Sequence, residues 1–276
     1  MTYLMSAILG VVQGVAEFLP ISSSGHLTLL QHFFELEQVD TLYNILLHFA
    51  TLLAVCIYYF QDVVEMITEF FRWLGSLFSR RSSLGNVPEA RRLVLLLVVG
   101  TLPLFVILPI KDHVEALGNR PAVVSVMLLI TGTILFLSDR MGRGYKSVRD
   151  FTVKDALLVG LAQCLATVPG LSRSGCTISA GLARGLDRKL AVRYSFLLSL
   201  PAVLGATILE VADVAAAGGF DTSVLPVYLT GMVIAGVVGY FSIHLVNLLA
   251  SKGRFGSFAY YCWAAGLAFL VMSVLG

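Results

Sequence analysis

Six long stretches of this sequence contain no Asp, Glu, Lys or Arg, and each is 16 to 30 residues long. They are residues 41–61, 93–110, 121–138, 194–209, 222–251 and 255–276. A helix needs about 20 mostly apolar residues to cross the hydrocarbon core of a bilayer. Only 13% of the chain is charged, whereas soluble domains carry about 25%. The sequence therefore predicts an all-α polytopic membrane protein with six transmembrane helices.

Two further apolar regions, residues 1–34 and 156–185, are each interrupted in the middle. The first is broken by EFLPISSSG at 17–25 and the second by PGLSRSG at 169–175. Proline ends a helix, and serine favours the cap of the next one. We therefore expect two re-entrant helical hairpins. Residues 62–78 have apolar side chains at helical spacing between charges, which is typical of a helix lying on the membrane surface.

The basic residues predict the orientation. Apart from Arg173, sixteen of the eighteen Lys and Arg residues lie in four segments, which are 61–92, 139–155, 184–193 and 252–254. The positive-inside rule places these segments in the cytoplasm. The complementary loops, 35–40, 111–120 and 210–221, contain only two basic residues, Lys111 and Arg120. With six spans, the second hairpin must enter from the cytoplasm, and we expect the first to enter from outside.

An internal repeat supports this arrangement. With a shift of 150 residues, segment 10–25 matches 160–175 at six of sixteen positions without a gap. The identical pairs are Gly10/Gly160, Gln13/Gln163, Ala16/Ala166, Ser22/Ser172, Ser24/Ser174 and Gly25/Gly175. Each half then has one hairpin and three spans, and the odd number of crossings inverts the second copy. We predict one integral membrane domain, with repeats of about 1–138 and 151–276; the alternative is chance recurrence of small residues.

Apart from Arg184 at the end of the second region, the charged residues of these two apolar regions lie at the breaks, Glu17 in one and Arg173 in the other. A charge within a membrane costs roughly 2.5–3.5 kcal/mol on insertion scales, so such residues are functional by default. The alternative is a structural ion pair between the repeats. Two converging helix N-termini and a forked guanidinium would bind a phosphate or diphosphate. The surrounding small polar residues are Ser22, Ser24, Gly25, Ser172, Ser174, Gly175 and Thr177, although they could serve only as caps.

Three residues at the first break are candidates for chemistry. Ser23 becomes a nucleophile when a base takes its proton. His26 could act as base, acid or nucleophile, and Glu17 could handle protons. Gln13 lies one helical turn before Glu17, and its amide can donate or accept hydrogen bonds but cannot transfer a proton. We interpret His48 and His244 as hydrogen-bonding helix contacts without a role in the chemistry.

The two motifs, residues 13–26 and 169–179, closely resemble those of the bacterial undecaprenyl-diphosphate phosphatases, the bacitracin-resistance family. The similarity extends along the chain and includes SFLLSLP at 195–201. It implies hydrolysis of the C55 lipid carrier diphosphate to the monophosphate that cell-wall polymer synthesis needs. It also implies catalytic roles for Glu17, Ser23, His26 and Arg173, with substrate contacts from Gln13 and the small polar residues of both breaks.

The resemblance also implies a divalent cation, Mg²⁺ or Ca²⁺, with Glu17 as its protein ligand. Many members have Glu where this chain has Gln13, so a clamp of two carboxylates is not expected here. The expected partners are undecaprenyl diphosphate and membrane lipid, and a homodimer is one of the assemblies left open. The net charge of 19 − 17 = +2 implies no attraction to nucleic acid.

Three questions remain open at this level. The first is whether Ser23, which we favour, or His26 attacks the phosphorus. The second is whether the chain is instead a lipid flippase or transporter, because inverted repeats with broken helices are also a transporter plan. The third is the side of the membrane to which the site opens; we expect the outer side of the bacterial cytoplasmic membrane, because the first hairpin carries Glu17, Ser23 and His26.

Overall fold

The computed structural model describes residues 1–33, 41–78, 88–141, 144–216 and 222–275, and their regular structure is helical. Twelve α-helices occur within these residues. They are α1 (Tyr3–Ala16), α2 (Ser23–Phe33), α3 (Thr41–Tyr58), α4 (Phe60–Phe78), α5 (Glu89–Thr101), α6 (Lys111–Glu115), α7 (Pro121–Ser138), α8 (Val153–Leu165), α9 (Arg173–Ala183), α10 (Arg188–Ala216), α11 (Leu225–Ser251) and α12 (Phe258–Leu275). Loop 35–40, with parts of loops 61–92, 139–155 and 210–221, lies outside the described residues.

The predicted multi-span helical architecture is confirmed. Within the described part of the chain, five segments are long and apolar enough to cross a membrane: Glu89–Asn119, Pro121–Ser138, Arg188–Ala216, Leu225–Ser251 and Phe255–Leu275. The first of these contains α5, α6 and short 3₁₀ turns between and after them. A sixth span is obtained if α3 and α4 are counted together, but α4 is bent away from α3 by 89°.

Helix α4 covers the stretch predicted to lie on the membrane surface. Its buried Glu69 is paired with Arg72 and Arg91. Phe71 and Ile67 are exposed on the same helix. One helix thus presents both ion pairs and large apolar side chains, which is the composition expected at the boundary between headgroups and acyl chains.

Both interrupted regions form two short helices separated by a break, at the positions that Pro, Ser and Gly predicted. The first break separates α1 from α2, and the second separates α8 from α9. Ser22 has a φ of 69°, in the left-handed region, and its Oγ accepts the N–H of Gly25 at 3.2 Å. Ser172 Oγ accepts the N–H of Gly175 at 3.1 Å. The same capping bond therefore forms at both breaks between equivalent residues.

Each half of the chain packs its broken helix against a span of the other half. Helix α1 lies against α11, and α8 lies against α5. A Cβ on Gly10 would lie 2.5 Å from the carbonyl oxygen of Gly231, and a Cβ on Gly160 would lie 2.2 Å from that of Gly100. Gly10 and Gly160 are equivalent in the internal repeat. The close approach of the two backbones in both places requires glycine.

Ion pairs connect the basic segments at one end of the helices. Asp155 accepts from Lys146 and Arg184, at 2.8 and 2.7 Å. Arg188 pairs with Asp139, and Arg193 pairs with Asp62. A separate ion pair joins Lys111 of α6 to Glu210 of α10, at 2.7 Å. The segments predicted to be cytoplasmic thus contact one another. Lys111 and Glu210 belong instead to loops 111–120 and 210–221, which are predicted to lie on the opposite side of the membrane.

Because the Gly160–Gly100 contact has no room for a methyl group, Gly160→Ala should lower the melting temperature of the protein in detergent. Overpacking of this kind costs about 1–3 kcal/mol. Gly75→Ala is the matched control, since a Cβ there meets nothing within 4 Å. Equal melting temperatures for the two variants would contradict the proposed role of this contact.

Candidate active site

The two breaks meet through the charged residues that they carry. Arg173 Nη2 donates to Glu17 Oε1, and the two residues are 156 positions apart in the chain. The Glu17 side chain is 5% exposed and that of Arg173 is 21% exposed. A buried carboxylate in an apolar setting requires a partner of opposite charge. The ion pair left open as an alternative is therefore present, and its guanidinium also faces open space.

The second carboxylate oxygen of Glu17 is surrounded by three polar side chains. Glu17 Oε2 accepts from Ser23 Oγ at 2.7 Å and from Gln13 Nε2 at 3.0 Å. His48 Nε2 lies 3.6 Å from the same oxygen. The carboxylate is thus placed to take the proton of the Ser23 hydroxyl, which is the arrangement that activates a serine nucleophile.

A cavity of about 500 Å³ opens in front of these residues, within the usual range for ligand sites of about 300–1,000 Å³. Its polar floor comes from both breaks and consists of Glu17, Ser22, Ser23, Ser24, Ser172 and Arg173. Its walls include Leu104, Phe105 and Leu108 from the 3₁₀ segment before α6, and Pro201 and Leu209 from α10. We call it the central cavity. A polar floor beneath apolar walls suits an amphiphile with a small anionic headgroup.

His26 does not line the central cavity. Its Nδ1 lies 2.8 Å from the carbonyl oxygen of Ser22, and its Nε2 lies 2.8 Å from the Tyr261 hydroxyl. The imidazole also stacks on the Tyr261 ring, with centroids 5.6 Å apart. A neutral ring satisfies both contacts by donating from Nδ1 and accepting at Nε2. His26 therefore joins α2 to α12, and its predicted role in catalysis stays a prediction.

The predicted substrate contacts fall into two groups. Ser22, Ser24 and Ser172 line the central cavity, whereas Gly25, Ser174, Gly175 and Thr177 form the helix starts behind it. The hydroxyl of Thr177 donates to the carbonyl oxygen of Arg173 at 2.8 Å and meets Ser195 Oγ at 2.6 Å. Gln13 reaches the site only through Glu17. The second group thus positions the floor without facing the cavity.

Sequence reasoning missed the position of His48. His48 does make a helix contact, and it lies within α3, where His48 Nδ1 is 2.8 Å from the carbonyl oxygen of Asn44. Its other nitrogen, however, faces Glu17 and the ring lines the central cavity. No local motif could have indicated this, since only tertiary packing brings α3 beside the first break.

Two side chains at the first break, Glu17 and Gln13, carry oxygen atoms that could be ligands of a divalent cation. Within the described ranges, no group of three His, Cys, Asp or Glu could hold a metal ion. Beside Glu17, however, the amide oxygen of Gln13 is buried and has no hydrogen-bond partner. Magnesium is usually bound by one or two carboxylates together with substrate phosphates. These oxygens fit such a cation: Glu17 would be its carboxylate ligand, the Gln13 oxygen would be a further protein donor, and substrate phosphates would supply the rest.

The fold and the site define a class of polytopic membrane proteins in which a serine, a buried carboxylate and an arginine lie at the meeting point of two broken helices. Residues 6–268 match the family described as Bacitracin resistance protein BacA, and the chain belongs to this family. It is 41% identical to the undecaprenyl-diphosphatase of Desulforapulum autotrophicum, over 96% of each chain. The undecaprenyl-diphosphatase of Methanosphaera stadtmanae is 38% identical, over 99% of this chain and 98% of that protein. That of Alkaliphilus metalliredigens is 37% identical over both full lengths.

Replacing Arg173 by Lys should reduce phosphatase activity by about ten- to hundredfold, because an ammonium keeps the charge but not the forked pair of donors. The variant should still fold, since Lys can pair with Glu17. Phosphate release from the purified protein measures the effect. Arg184→Lys is the control, because that residue pairs with Asp155 away from the cavity. Wild-type turnover of Arg173→Lys would reduce Arg173 to a structural role.

Proposed function

We propose that this protein hydrolyses undecaprenyl diphosphate to undecaprenyl monophosphate and inorganic phosphate, and so contributes to bacitracin resistance. One observation carries the proposal: Ser23, Glu17 and Arg173 meet on the floor of a cavity whose walls are mainly apolar. The headgroup of a prenyl diphosphate would reach the polar floor, and its chain would contact the walls. Family membership and the similarity to undecaprenyl-diphosphatases support the same activity.

The geometry supports attack by Ser23 on the terminal phosphorus. The Ser23 proton passes to Glu17 Oε2, 2.7 Å away, as a bond forms between Oγ and phosphorus. The bond from phosphorus to the bridging oxygen breaks, and the lipid monophosphate leaves with the proton that Glu17 returns to it. In a second step, water attacks the phosphoserine and gives a proton to Glu17. Glu17 then returns that proton to Ser23 Oγ as inorganic phosphate departs.

Arg173 binds the terminal phosphate in this proposal. Its guanidinium donates to phosphate oxygens and stabilises the charge that develops on them. The N–H groups at the starts of α2 and α9 would add further hydrogen-bond donors to the phosphate, at the positive ends of the two helix dipoles. A divalent cation, Mg²⁺ or Ca²⁺, would neutralise further phosphate charge beside Glu17.

The contacts favour Ser23 over His26 as the nucleophile, because both ring nitrogens of His26 are engaged by Ser22 and Tyr261. We expect an acid-stable phosphoserine when wild-type enzyme is quenched during turnover. Ser23→Ala should lose the intermediate and nearly all activity. Trapping an acid-labile phosphohistidine on His26 in the Ser23→Ala protein would reverse the assignment.

Inverted repeats with two re-entrant hairpins form the architecture that we propose, within one integral membrane domain of residues 1–276. The halves are about 1–138 and 151–276. Support comes from the paired glycine contacts and from the shared caps at Ser22 and Ser172. In both halves, the broken helix lies against a span of the other half, as two copies related by a pseudo-two-fold axis would.

The central cavity opens, in our proposal, to the outer face of the bacterial cytoplasmic membrane. Lys111, Glu115 and Glu210 line it, and they belong to the loops with few basic residues. Segments 61–92, 139–155 and 184–193 contribute none of its described lining residues. A lateral opening for the prenyl chain would lie between α10 and the exposed 3₁₀ segment that contains Phe105.

Cysteine labelling in sealed vesicles tests this orientation in a background without native cysteines. Glu115→Cys, at a side chain 59% exposed, should react with a charged, membrane-impermeant thiol reagent only from outside. Tyr145→Cys, at a residue 84% exposed, should react only from the cytoplasmic face. The opposite pattern would overturn the proposed topology.

Phosphate release from purified protein in detergent separates hydrolysis from the flippase or transporter alternative, because transport requires two compartments. We expect release from undecaprenyl diphosphate in wild type and its loss in Ser23→Ala. Absence of release from folded wild-type protein would contradict the proposed function. A mass measurement on the same sample would reveal whether the protein is a homodimer.

A further inference from the structure

Gln163 is a buried amide in the wall of the central cavity that has no partner. The residue lies on α8, is 2% exposed and contributes to the lining of the cavity. Neither its Nε2 nor its Oε1 has a hydrogen-bond partner. A buried amide without a partner destabilises a folded protein, because burial removes its hydrogen bonds to water and no hydrogen bond within the protein replaces them. A group of this kind at a cavity indicates a ligand.

The internal repeat shows why the amide is unpaired. Gln163 corresponds to Gln13, whose Nε2 donates to Glu17 one turn later. The residue one turn after Gln163 is Thr167, and its hydroxyl donates to the carbonyl oxygen of Cys164 at 2.8 Å. Gln163 therefore keeps the position of Gln13 but lacks the carboxylate that holds it. Its donor is free for a ligand.

The surroundings of Gln163 favour an anionic ligand. Arg173 and Ser172 line the same cavity and offer a cationic and a hydroxyl donor, whereas the carboxylates of Glu115 and Glu210 are paired with Lys111. The Gln163 amide makes no bond to the cluster of Glu17, Ser23 and Arg173, where the terminal phosphate is expected. A second phosphate of the headgroup would therefore be the group that it meets.

We propose that Gln163 donates a hydrogen bond to the lipid-proximal phosphate, and so helps the site to hold the diphosphate headgroup of the substrate. The inference rests on the proposed function. An amide donor suits this position, because it binds phosphate oxygens without transferring a proton to the leaving group. The lipid monophosphate formed by hydrolysis would keep this bond but lose the contacts of the terminal phosphate.

The test compares wild type with Gln163→Leu and with Gln163→Met, a second apolar variant of similar length. Loss of a hydrogen bond to a charged group should raise KM for undecaprenyl diphosphate about ten- to hundredfold, with a smaller change in kcat. The melting temperature without ligand should stay equal or rise, because an unpaired buried amide is replaced by an apolar group. A purely structural role would instead lower the melting temperature.

Asn247→Leu is the matched control. Its amide is bonded to the Tyr59 hydroxyl and to the carbonyl oxygen of Ile243, both at 3.0 Å, and it lies outside the cavity lining. This variant should have a lower melting temperature and an unchanged KM. Wild-type KM in both Gln163 variants, or a fall in their melting temperature like that of the control, would overturn the inference.

A binding measurement tests the inference without turnover. Inorganic diphosphate should raise the melting temperature of wild type more than inorganic phosphate does, and in Gln163→Leu the diphosphate shift should fall to about that of inorganic phosphate. The smaller shift caused by inorganic phosphate should remain, because the terminal site is intact. Equal diphosphate shifts in both proteins, or none in wild type, would contradict the role of Gln163. Failure of wild type to hydrolyse the lipid diphosphate would instead contradict the proposed function.

Discussion

The contact between Glu17 and Arg173 is the interaction on which the rest of this structure depends. Each residue lies at the break of an apolar region, where an isolated charge would be strongly unfavourable. Pairing removes that penalty only if the two breaks meet, so the ion pair requires α1 and α9 to approach closely. The glycine contacts of α1 with α11 and of α8 with α5 permit the same approach. Removing one partner would leave a buried charge, which is costlier than losing both.

The same pair links stability to the proposed chemistry. Without a ligand, Glu17 accepts from Arg173, Ser23 and Gln13, and these donors favour its ionised form. A phosphate that binds to the guanidinium competes with Glu17 for it. As Arg173 turns to the phosphate, Glu17 loses a cationic partner and becomes a better acceptor for the Ser23 proton. Substrate binding would thus activate the base that it needs.

The spans and both breaks could be predicted because they depend on local signals: the length of an uncharged run, a proline, a serine cap. The cost of a buried charge predicts that Glu17 and Arg173 are either functional residues or a structural ion pair, and the sequence does not decide between these two alternatives. The histidines could not be assigned in this way. His26 lies beside Ser23 in sequence, yet it packs on Tyr261, while His48 comes from α3 and faces Glu17. Which of them faces the carboxylate is decided by packing between helices far apart in the chain.

The two repeats share a scaffold and differ where the chemistry is proposed. Identical positions build the structure: Gly10 and Gly160 allow close packing, and Ser22 and Ser172 cap the helices. The proposed catalytic positions differ, because Glu17 corresponds to Thr167 and Ser23 corresponds to Arg173. One copy therefore supplies the base and the nucleophile, and the other supplies the cation that binds phosphate. Two identical copies would place two carboxylates or two guanidinium groups at the meeting point, where like charges repel. Divergence at these positions thus replaces a repulsion between like charges by the ion pair of Glu17 with Arg173.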